Sequence, residues 1–275
     1  MIHLFHRKRF SRRYGYGKSA VTWLFKLASY SKTSIMRIFF IALTLAVMGL
    51  SSCRFLGGER ISGDGHVVSQ PRNVTGFNSL DISGGIKVHI RQDAVAAVKV
   101  EADQNLMEYI EVFTDGSTLV IKQKDGVNLN PSKDIIVSVA APIYKDIEVS
   151  GACDIIGDGP ITGSEEVRLD VSGASTINLR INVPKLHSEL SGSSHLNLNG
   201  QVADFWVKAR GACEIKSYDL ITDNTTLDVS GASDAEVTVN KKLEVEASGA
   251  SKVLYKGKPS ISQNSSGASE VRPAS

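Results

Sequence analysis

Residues 169–177 read LDVSGASTI, and close copies of this stretch return through the second half of the 275-residue chain. Each copy centres on one glycine with small residues beside it, and these glycines are Gly151, Gly173, Gly192, Gly211, Gly231, Gly249 and Gly267. An eighth glycine, Gly84, has similar flanks but precedes Gly151 by more than three of these periods. A regular period of about 18–22 residues indicates structural repeats that stack on one another.

The flanks of the glycine alternate between apolar and polar residues. Leu169 and Val171 precede Gly173 by four and two residues, and Ile177 follows it by four. Such alternation places the apolar side chains on one face of a strand. No segment after residue 66 has the spacing of apolar residues that a helix requires. The pattern therefore predicts an all-β protein.

The repeat predicts a right-handed parallel β-helix-like solenoid with coils of about 18–22 residues over residues 145–275. Glycine suits a corner because it tolerates positive φ and close approach of another backbone. The competing hypothesis is an antiparallel sandwich or barrel, which short strands with glycine turns also allow. In the solenoid, Cys153 and Cys213 lie three coils apart, about 14 Å, so we expect both to remain free thiols.

Residues 66–144 follow a different pattern and predict a β-rich N-terminal cap over the open end of the coils. The predicted strands are 76–82, 86–91, 97–102, 110–114, 117–122 and 134–140. Asp115-Gly116 is a hairpin turn signal between two of them.

The N-terminal 52 residues predict an export signal rather than a domain. Residues 38–50 form an apolar run of 13, which is short for a membrane span and typical of a signal peptide. The run ends in Leu50-Ser51-Ser52-Cys53, which resembles a bacterial lipobox, so we expect Cys53 to be the lipid attachment site. A short transmembrane anchor is the alternative. Residues 1–35 are interpreted as an over-extended start before Met36, and residues 53–65 as anchor and flexible tether.

Charge and motifs exclude several classes of function. Residues 1–52 contain nine Lys or Arg and no acid, which leaves 22 bases against 29 acids in the remainder. That balance is wrong for a nucleic-acid partner. The common hydrolase, zinc-protease and phosphate-loop motifs are missing, and we expect no cofactor and no metal. His187 and His195 flank Gly192 but lack further ligands nearby, which favours surface histidines.

Acidic residues recur three positions before the glycines and would form a column if the coils are in register. They are Glu148, Asp170, Glu189, Asp228 and Glu246, with Asp81 before Gly84 and Lys208 as the interruption. We interpret this column as a solvated face, since water screens like charges at this distance. A weak calcium or other cation site is the alternative, because hard cations prefer several carboxylate oxygens.

Phe205, Trp206 and Tyr218 predict either a small sugar-stacking patch or, for Phe205 or Trp206, a side chain that fills the core. The patch leaves open a second functional hypothesis, a polysaccharide lyase or hydrolase on a β-helix scaffold.

The chain resembles the putative auto-transporter adhesin head GIN domain family over about residues 74–270. The resemblance is carried by GFNSLDISG at 76–84, VKVEADQNL at 98–106, LVI at 119–121, APIY at 141–144 and the Ser-Gly-Ala series. It implies a β-helix-like fold and a cell-envelope or surface location, and it supplies no catalytic residues. Together with the lipobox it leads us to expect a non-enzymatic outer-membrane lipoprotein that binds a protein or glycan partner.

Overall fold

The computed structural model describes residues 58–163 and 165–274. The predicted export signal and Cys53 lie outside the described residues. Within them, one 3₁₀ helix covers Gln104–Tyr109 and the remaining regular elements are strands. The strands are β1 Glu59–Ser62, β2 Val67–Arg72, β3 Ser79–Gly84, β4 Lys87–Gln92, β5 Ala97–Asp103, β6 Ile110–Asp115, β7 Thr118–Gln123, β8 Val127–Asn130, β9 Ile136–Ala141, β10 Asp146–Gly151, β11 Asp154–Thr162, β12 Glu166–Val171, β13 Thr176–Gly192, β14 His195–Gly211, β15 Glu214–Gly231, β16 Asp234–Ala247, β17 Lys252–Gly257, β18 Ser260–Ser265 and β19 Glu270–Pro273.

Each coil consists of one strand segment before the corner glycine and one after it. We call the two resulting parallel sheets the pre-corner sheet and the post-corner sheet. The long strands β13, β14 and β15 serve both sheets, since each begins after one corner glycine and ends at the next. β13 pairs with β14 in parallel from Thr176↔His195 to Gly192↔Gly211. The predicted solenoid is confirmed, and the antiparallel sandwich is wrong for the coils.

The core lies between the two sheets, where the alternating apolar residues meet. Leu169 and Val171 from the pre-corner sheet are buried, as are Ile177, Leu179 and Ile181 from the post-corner sheet. Full burial of one such side chain stabilises the fold by about 1.5–3 kcal/mol.

The corner requires glycine for two independent reasons. All eight predicted corner glycines have positive φ, from 75° at Gly267 to 116° at Gly211. From Gly151 onward, a Cβ atom at any of them would also overlap the carbonyl oxygen of the preceding corner glycine. The chain can therefore stack these corners only where a side chain is missing.

A column of small buried residues runs inside the solenoid, two positions after each corner glycine. Its buried members are Cys153, Ser175, Ser194, Cys213, Ser233 and Ser251. The hydroxyl of Ser194 donates to the carbonyl oxygen of Ser191 at 2.9 Å, and Ser251 repeats the contact with Ser248 at 2.9 Å. These bonds provide the partner that a buried hydroxyl needs.

The boundary expected at residue 145 is not a break between two kinds of structure. β3 and β4 already form a coil, because β10 pairs in parallel with β3 from Ile147↔Leu80 to Gly151↔Gly84 and β11 pairs with β4. β7 pairs in parallel with β3, and β9 pairs in parallel with β4, so that each of the two sheets gains one more strand. The antiparallel strands β2, β5 and β6 complete this β-rich N-terminal part.

The last residues of the expected tether are tied to the domain. β1 pairs in parallel with β8. The buried carboxylate of Asp103 accepts hydrogen bonds from the amide of Gly65 at 2.9 Å and from the amide and hydroxyl of Ser132. These bonds hold the pKa of Asp103 below its usual range. Across the described ranges, no helix has the length and apolar character needed to cross a membrane.

Candidate functional site

The outer surface of the pre-corner sheet carries the acidic column. The register aligns Glu148 with Asp170, Asp170 with Glu189, and Asp228 with Glu246. Lys208 lies between Glu189 and Asp228, as the repeat requires. Neighbouring coils therefore place the aligned backbone positions about 4.8 Å apart along the solenoid axis.

Cations beside the column balance part of its charge. Lys208 Nζ lies 3.7 Å from Glu189, and Arg210 lies 4.0 Å from Asp228. Partial removal of water, followed by the repulsion of Glu189, raises the pKa of Asp170 above its ordinary value. In the part of the chain that the structure describes, no three His, Cys, Asp or Glu side chains converge to hold a metal ion. The column is thus partly paired with cations, and its interpretation as a solvated face stays a prediction.

An aromatic pair lies next to the acidic column on the same sheet. His187 and Trp206 occupy equivalent positions in neighbouring coils, five residues before Gly192 and Gly211. Their rings stack with centroids 3.8 Å apart and planes inclined by 17°. The imidazole Nε2 also lies 3.4 Å from a carboxylate oxygen of Glu189, which ties the pair to the column.

The predicted aromatic patch is divided by the alternation of the strand. Phe205 points inward and is buried at 2% exposure, so it belongs to the core. Trp206, its neighbour, points outward and is half-buried. Tyr218 belongs to the opposite, post-corner segment of β15, where Lys256 Nζ lies 4.0 Å from its ring centroid. The three aromatic residues therefore form no common site, and the prediction of one patch is wrong.

The His187–Trp206 pair borders a shallow depression of about 330 Å³. Its polar wall consists of four residues that are aligned in successive coils, each seven residues before its corner glycine: Glu166, Lys185, Asp204 and Asn224. The amide of Asn224 donates to the carboxylate of Asp204 at 2.8 Å. Leu186 and Phe205 contribute to its floor. The depression offers a flat aromatic surface beside fixed hydrogen-bonding groups.

The post-corner sheet carries a second, more polar depression of about 570 Å³. Stacked amides line it, with Asn197 donating to Asn178 at 2.8 Å and Arg180 donating to Asn199 at 2.8 Å. The register shifts beside it, between Ile156 and Pro160 and between Asn197 and Asn199, indicate β-bulges. Our sequence reasoning missed this surface, although Asn178 and Asn197 both stand five residues after a corner glycine.

The histidines lie on different surfaces. His187 is on the pre-corner sheet, whereas His195 is on the post-corner sheet with its Nδ1 3.0 Å from Glu214. His89 contacts Asp158 at 2.9 Å. Each of these three histidines therefore has a carboxylate partner of its own.

Solved structures share this fold at low sequence identity. A protein described as a putative adhesin from Bacteroides fragilis NCTC 9343 superposes with a TM-score of 0.74 at 16% identity, covering 78% of this chain and 100% of its own. A protein described as a putative lipid binding protein from Parabacteroides distasonis ATCC 8503 gives 0.66 at 19% identity, covering 79% and 100%. A putative adhesin from the same strain gives 0.66 at 22% identity, covering 78% and 100%. At these identities the likeness establishes the fold.

No curated protein matches the chain by sequence. A family model does match it, over residues 76–259, and this span includes the corner glycines from Gly84 to Gly249. The resemblance predicted from the sequence motifs is confirmed. The chain belongs to the putative auto-transporter adhesin, head GIN domain family.

Proposed function

We propose that this protein is a non-enzymatic, lipid-anchored component of the cell envelope that binds a partner along the outer faces of its solenoid. The family carries the name of an adhesin, and solved relatives from Bacteroides and Parabacteroides carry the names of adhesins or of a lipid binding protein. These names support a binding role outside the cytoplasm. The partner is a protein or a glycan.

The observation that carries the proposal is the contrast between inner and outer positions of the coils. Inner positions are mostly apolar, as Leu169, Val207 and Leu227 illustrate four residues before their glycines, with Ser188 as the buried polar exception in that row. Outer positions differ from coil to coil and include an aromatic pair, amide ladders and carboxylates. Since the fold does not require this diversity, the outer faces are free to serve recognition.

The depressions on the solenoid suit surface binding better than enclosure of a lipid. They lie outside the core, and polar or charged side chains make up about half of each lining or more. Such open, mixed walls cannot enclose an acyl chain, whose binding is driven by apolar burial. The polar rims instead favour a ligand rich in hydroxyl or amide groups.

Cys53 supplies the anchor in this proposal. It follows the apolar run 38–50 and the small residues Ser51 and Ser52, the order that a lipoprotein signal requires. We expect a Cys53→Ala variant to leave the membrane fraction during a carbonate wash, whereas a Cys213→Ala control stays. Complete retention of Cys53→Ala with membranes would contradict the lipid anchor.

Exposure to the outside is tested on intact cells. Added protease should remove the solenoid from cells that remain sealed, with an inner-membrane protein as the protected control. Protection of the solenoid until the outer membrane is opened would place the binding face in the periplasm.

The alternative, a carbohydrate-active enzyme, is separated from the binding proposal by product analysis. Neighbouring carboxylates such as Asp170 and Glu189 could in principle supply acid and base. The purified chain should nevertheless release no reducing ends from polysaccharides over many hours. Steady release that is lost in Asp170→Asn would overturn the non-enzymatic assignment.

A further inference from the structure

The other coils show which side chains the fold accepts at the position of Trp206. From Gly151 onward, the outward residues five positions before the corner glycines are Asp146, Arg168, His187, Trp206, Thr226, Glu244 and Ser262. Charged, short and aromatic side chains are all accepted at this position of the coil. The indole of Trp206 is therefore not needed for folding, and a half-exposed indole that the fold does not need indicates a contact surface.

The neighbouring coils fix the orientation of the indole and leave one of its faces open. His187 stacks on one face at 3.8 Å between centroids. The next coil presents Thr226, a much shorter side chain, at the position aligned with Trp206. Among the described residues, no second ring stacks on Trp206. The indole face turned toward Thr226 thus borders the depression of about 330 Å³.

Hydrogen-bonding groups stand along the edge of this aromatic surface. Asp204 and Asn224 are joined at 2.8 Å, so their carboxylate and amide are held in place before any ligand arrives. Lys185 lies one coil back from Asp204 in the same row and lines the same depression. Together these groups offer donors and acceptors within one small site.

We propose that the His187–Trp206 pair, with Asp204, Asn224 and Lys185, forms a binding site for a neutral oligosaccharide; this inference rests on the proposed binding function. A pyranose ring has a face of C–H groups, which packs on the negative face of an aromatic ring, and a rim of hydroxyl groups. The depression is at the small end of ligand sites and fits one or two sugar rings.

The charges around the site give no net attraction for acidic sugars. Glu166, Asp204 and Glu189 bring three carboxylates to the vicinity of the aromatic pair. Lys185, Lys208 and Arg168 bring three cationic groups, of which Lys208 is 3.7 Å from Glu189 and Arg168 is 3.1 Å from Glu166. An anionic sugar would therefore find cations that are already paired and no net positive charge, whereas a neutral chain would meet matched donors and acceptors.

The test uses the full chain on an array of neutral hexose oligosaccharides and of uronate oligosaccharides, followed by calorimetric titration of the best binder. The main variant is Trp206→Thr, because the coil already accepts Thr226 at the aligned position. The matched control is Tyr218→Thr, which removes a half-buried aromatic ring from the opposite sheet. We expect Trp206→Thr to weaken binding about tenfold or more, and Tyr218→Thr to change it less than about twofold.

The outcomes separate this inference from the proposed function. Glycan binding that Trp206→Thr leaves unchanged overturns the site and leaves the binding function standing. Preference for uronates, or no binding to any glycan, overturns the ligand class. Release of reducing ends overturns the non-enzymatic function even where Trp206 is required. Should Trp206→Thr fold poorly, Asn224→Ala serves as the second variant, and unchanged affinity there also contradicts the site.

Discussion

The amide nitrogen of Ala174 donates a hydrogen bond to the carbonyl oxygen of Gly151 at 2.7 Å, which links one corner of the solenoid to the corner before it. The same bond joins Ala232 to Gly211 and Ala250 to Gly231, both at 2.8 Å. A continuous line of backbone bonds therefore runs along the glycine edge. Both the positive φ of the glycine and its missing side chain keep this line closed.

The corner glycines should tolerate no side chain. Gly173→Ala and Gly231→Ala each place a methyl group against the carbonyl oxygen of the preceding glycine, in a backbone conformation that alanine disfavours. We expect each to lower the free energy of unfolding by about 1–3 kcal/mol. Chemical denaturation of the purified variants measures the change.

Gly159→Ala is the matched control, since its Cβ would meet nothing within 4 Å and its φ lies outside the left-handed region. It should change stability by less than about 0.5 kcal/mol. Equal stability of the corner variants and the control would contradict the structural role of the corner.

The glycine period was sufficient to predict the solenoid because each coil repeats the same physical requirement. Gly84 has the same flanks as Gly151, yet the chain inserts the long segment 85–150 between them. The sequence does not reveal that β10 returns to pair with β3, because that pairing closes a long excursion through β5, β6, β7 and β9. Local periodicity predicts neighbours one period apart and is silent on longer returns.

The surfaces were harder to predict than the coils for a related reason. Alternation alone would have separated Phe205 from Trp206, because adjacent residues of a strand face opposite sides. The stacking of His187 on Trp206 follows from their equal offsets from Gly192 and Gly211, which lie one period apart. The chemistry of a ligand leaves no such period, so the partner cannot be read from the repeat.

Removal of one buried hydroxyl should stabilise the protein. Ser188 is fully buried, and its Oγ has no hydrogen-bond partner among the described residues. Leu169 and Val207 occupy the aligned positions in the adjacent coils. We expect Ser188→Ala to raise the free energy of unfolding by about 1 kcal/mol, because an unsatisfied buried hydroxyl is costly.

Ser194→Ala provides the opposite case, since its hydroxyl donates to Ser191 at 2.9 Å. That variant should lose about 1 kcal/mol. Thermal and denaturant unfolding of both variants test the pair. A loss of stability in Ser188→Ala would show that its hydroxyl has a partner in solution.

The acidic column should make stability depend on pH through Asp170. Its pKa is raised in the folded protein by partial desolvation and by Glu189, so the folded state favours the protonated form. Stability associated with this group is therefore greatest below its ordinary pKa and falls as pH rises through the raised value. At pH 7, Asp170→Asn should raise Tm by about 1–2 °C, and this gain should vanish near pH 3.

Asp228→Asn is the control because Arg210 lies 4.0 Å from Asp228. The Asp228→Asn variant should have the same Tm as the parent or a slightly lower one. Addition of millimolar calcium should shift Tm of the unmodified chain very little. A shift of several degrees that Asp170→Asn abolishes would instead identify a bound cation in the column.

In the column of small buried residues, Cys153 and Cys213 should behave as the buried serines of that column do. Both are free in the structure and buried, at 0% and 2% exposure. Cys153 Sγ lies 3.3 Å from the carbonyl oxygen of Ser150, the contact that Ser194 Oγ makes with Ser191. Burial also raises the pKa of the Cys153 thiol, which lowers its reactivity.

We therefore expect neither thiol to react with iodoacetamide until the protein unfolds, and no disulfide to join them. Their corner glycines are separated by Gly173 and Gly192, so the two sulfurs lie three coils apart. At about 4.8 Å per coil this distance is roughly 14 Å, twice the Cα separation that a disulfide permits. Mass spectrometry of the unreduced protein, alkylated before and after denaturation, measures both properties. A Cys153–Cys213 crosslink would contradict the order of the coils.

Substitutions at Cys153 then test whether the column of small buried residues requires small size and hydrogen bonding rather than sulfur. Cys153→Ser should keep Tm within about 2 °C of the parent, because Ser175 and Ser194 occupy the same position. Cys153→Leu should destabilise by about 1–3 kcal/mol, since the larger side chain must displace the carbonyl oxygens of Ser150 and Gly84, which lie 3.3 and 3.4 Å from the sulfur. If Cys153→Leu keeps the stability of the parent, the interior of the corner can hold a large side chain. Core packing would then not explain why the Ser-Gly-Ala-Ser motif has small residues at this position.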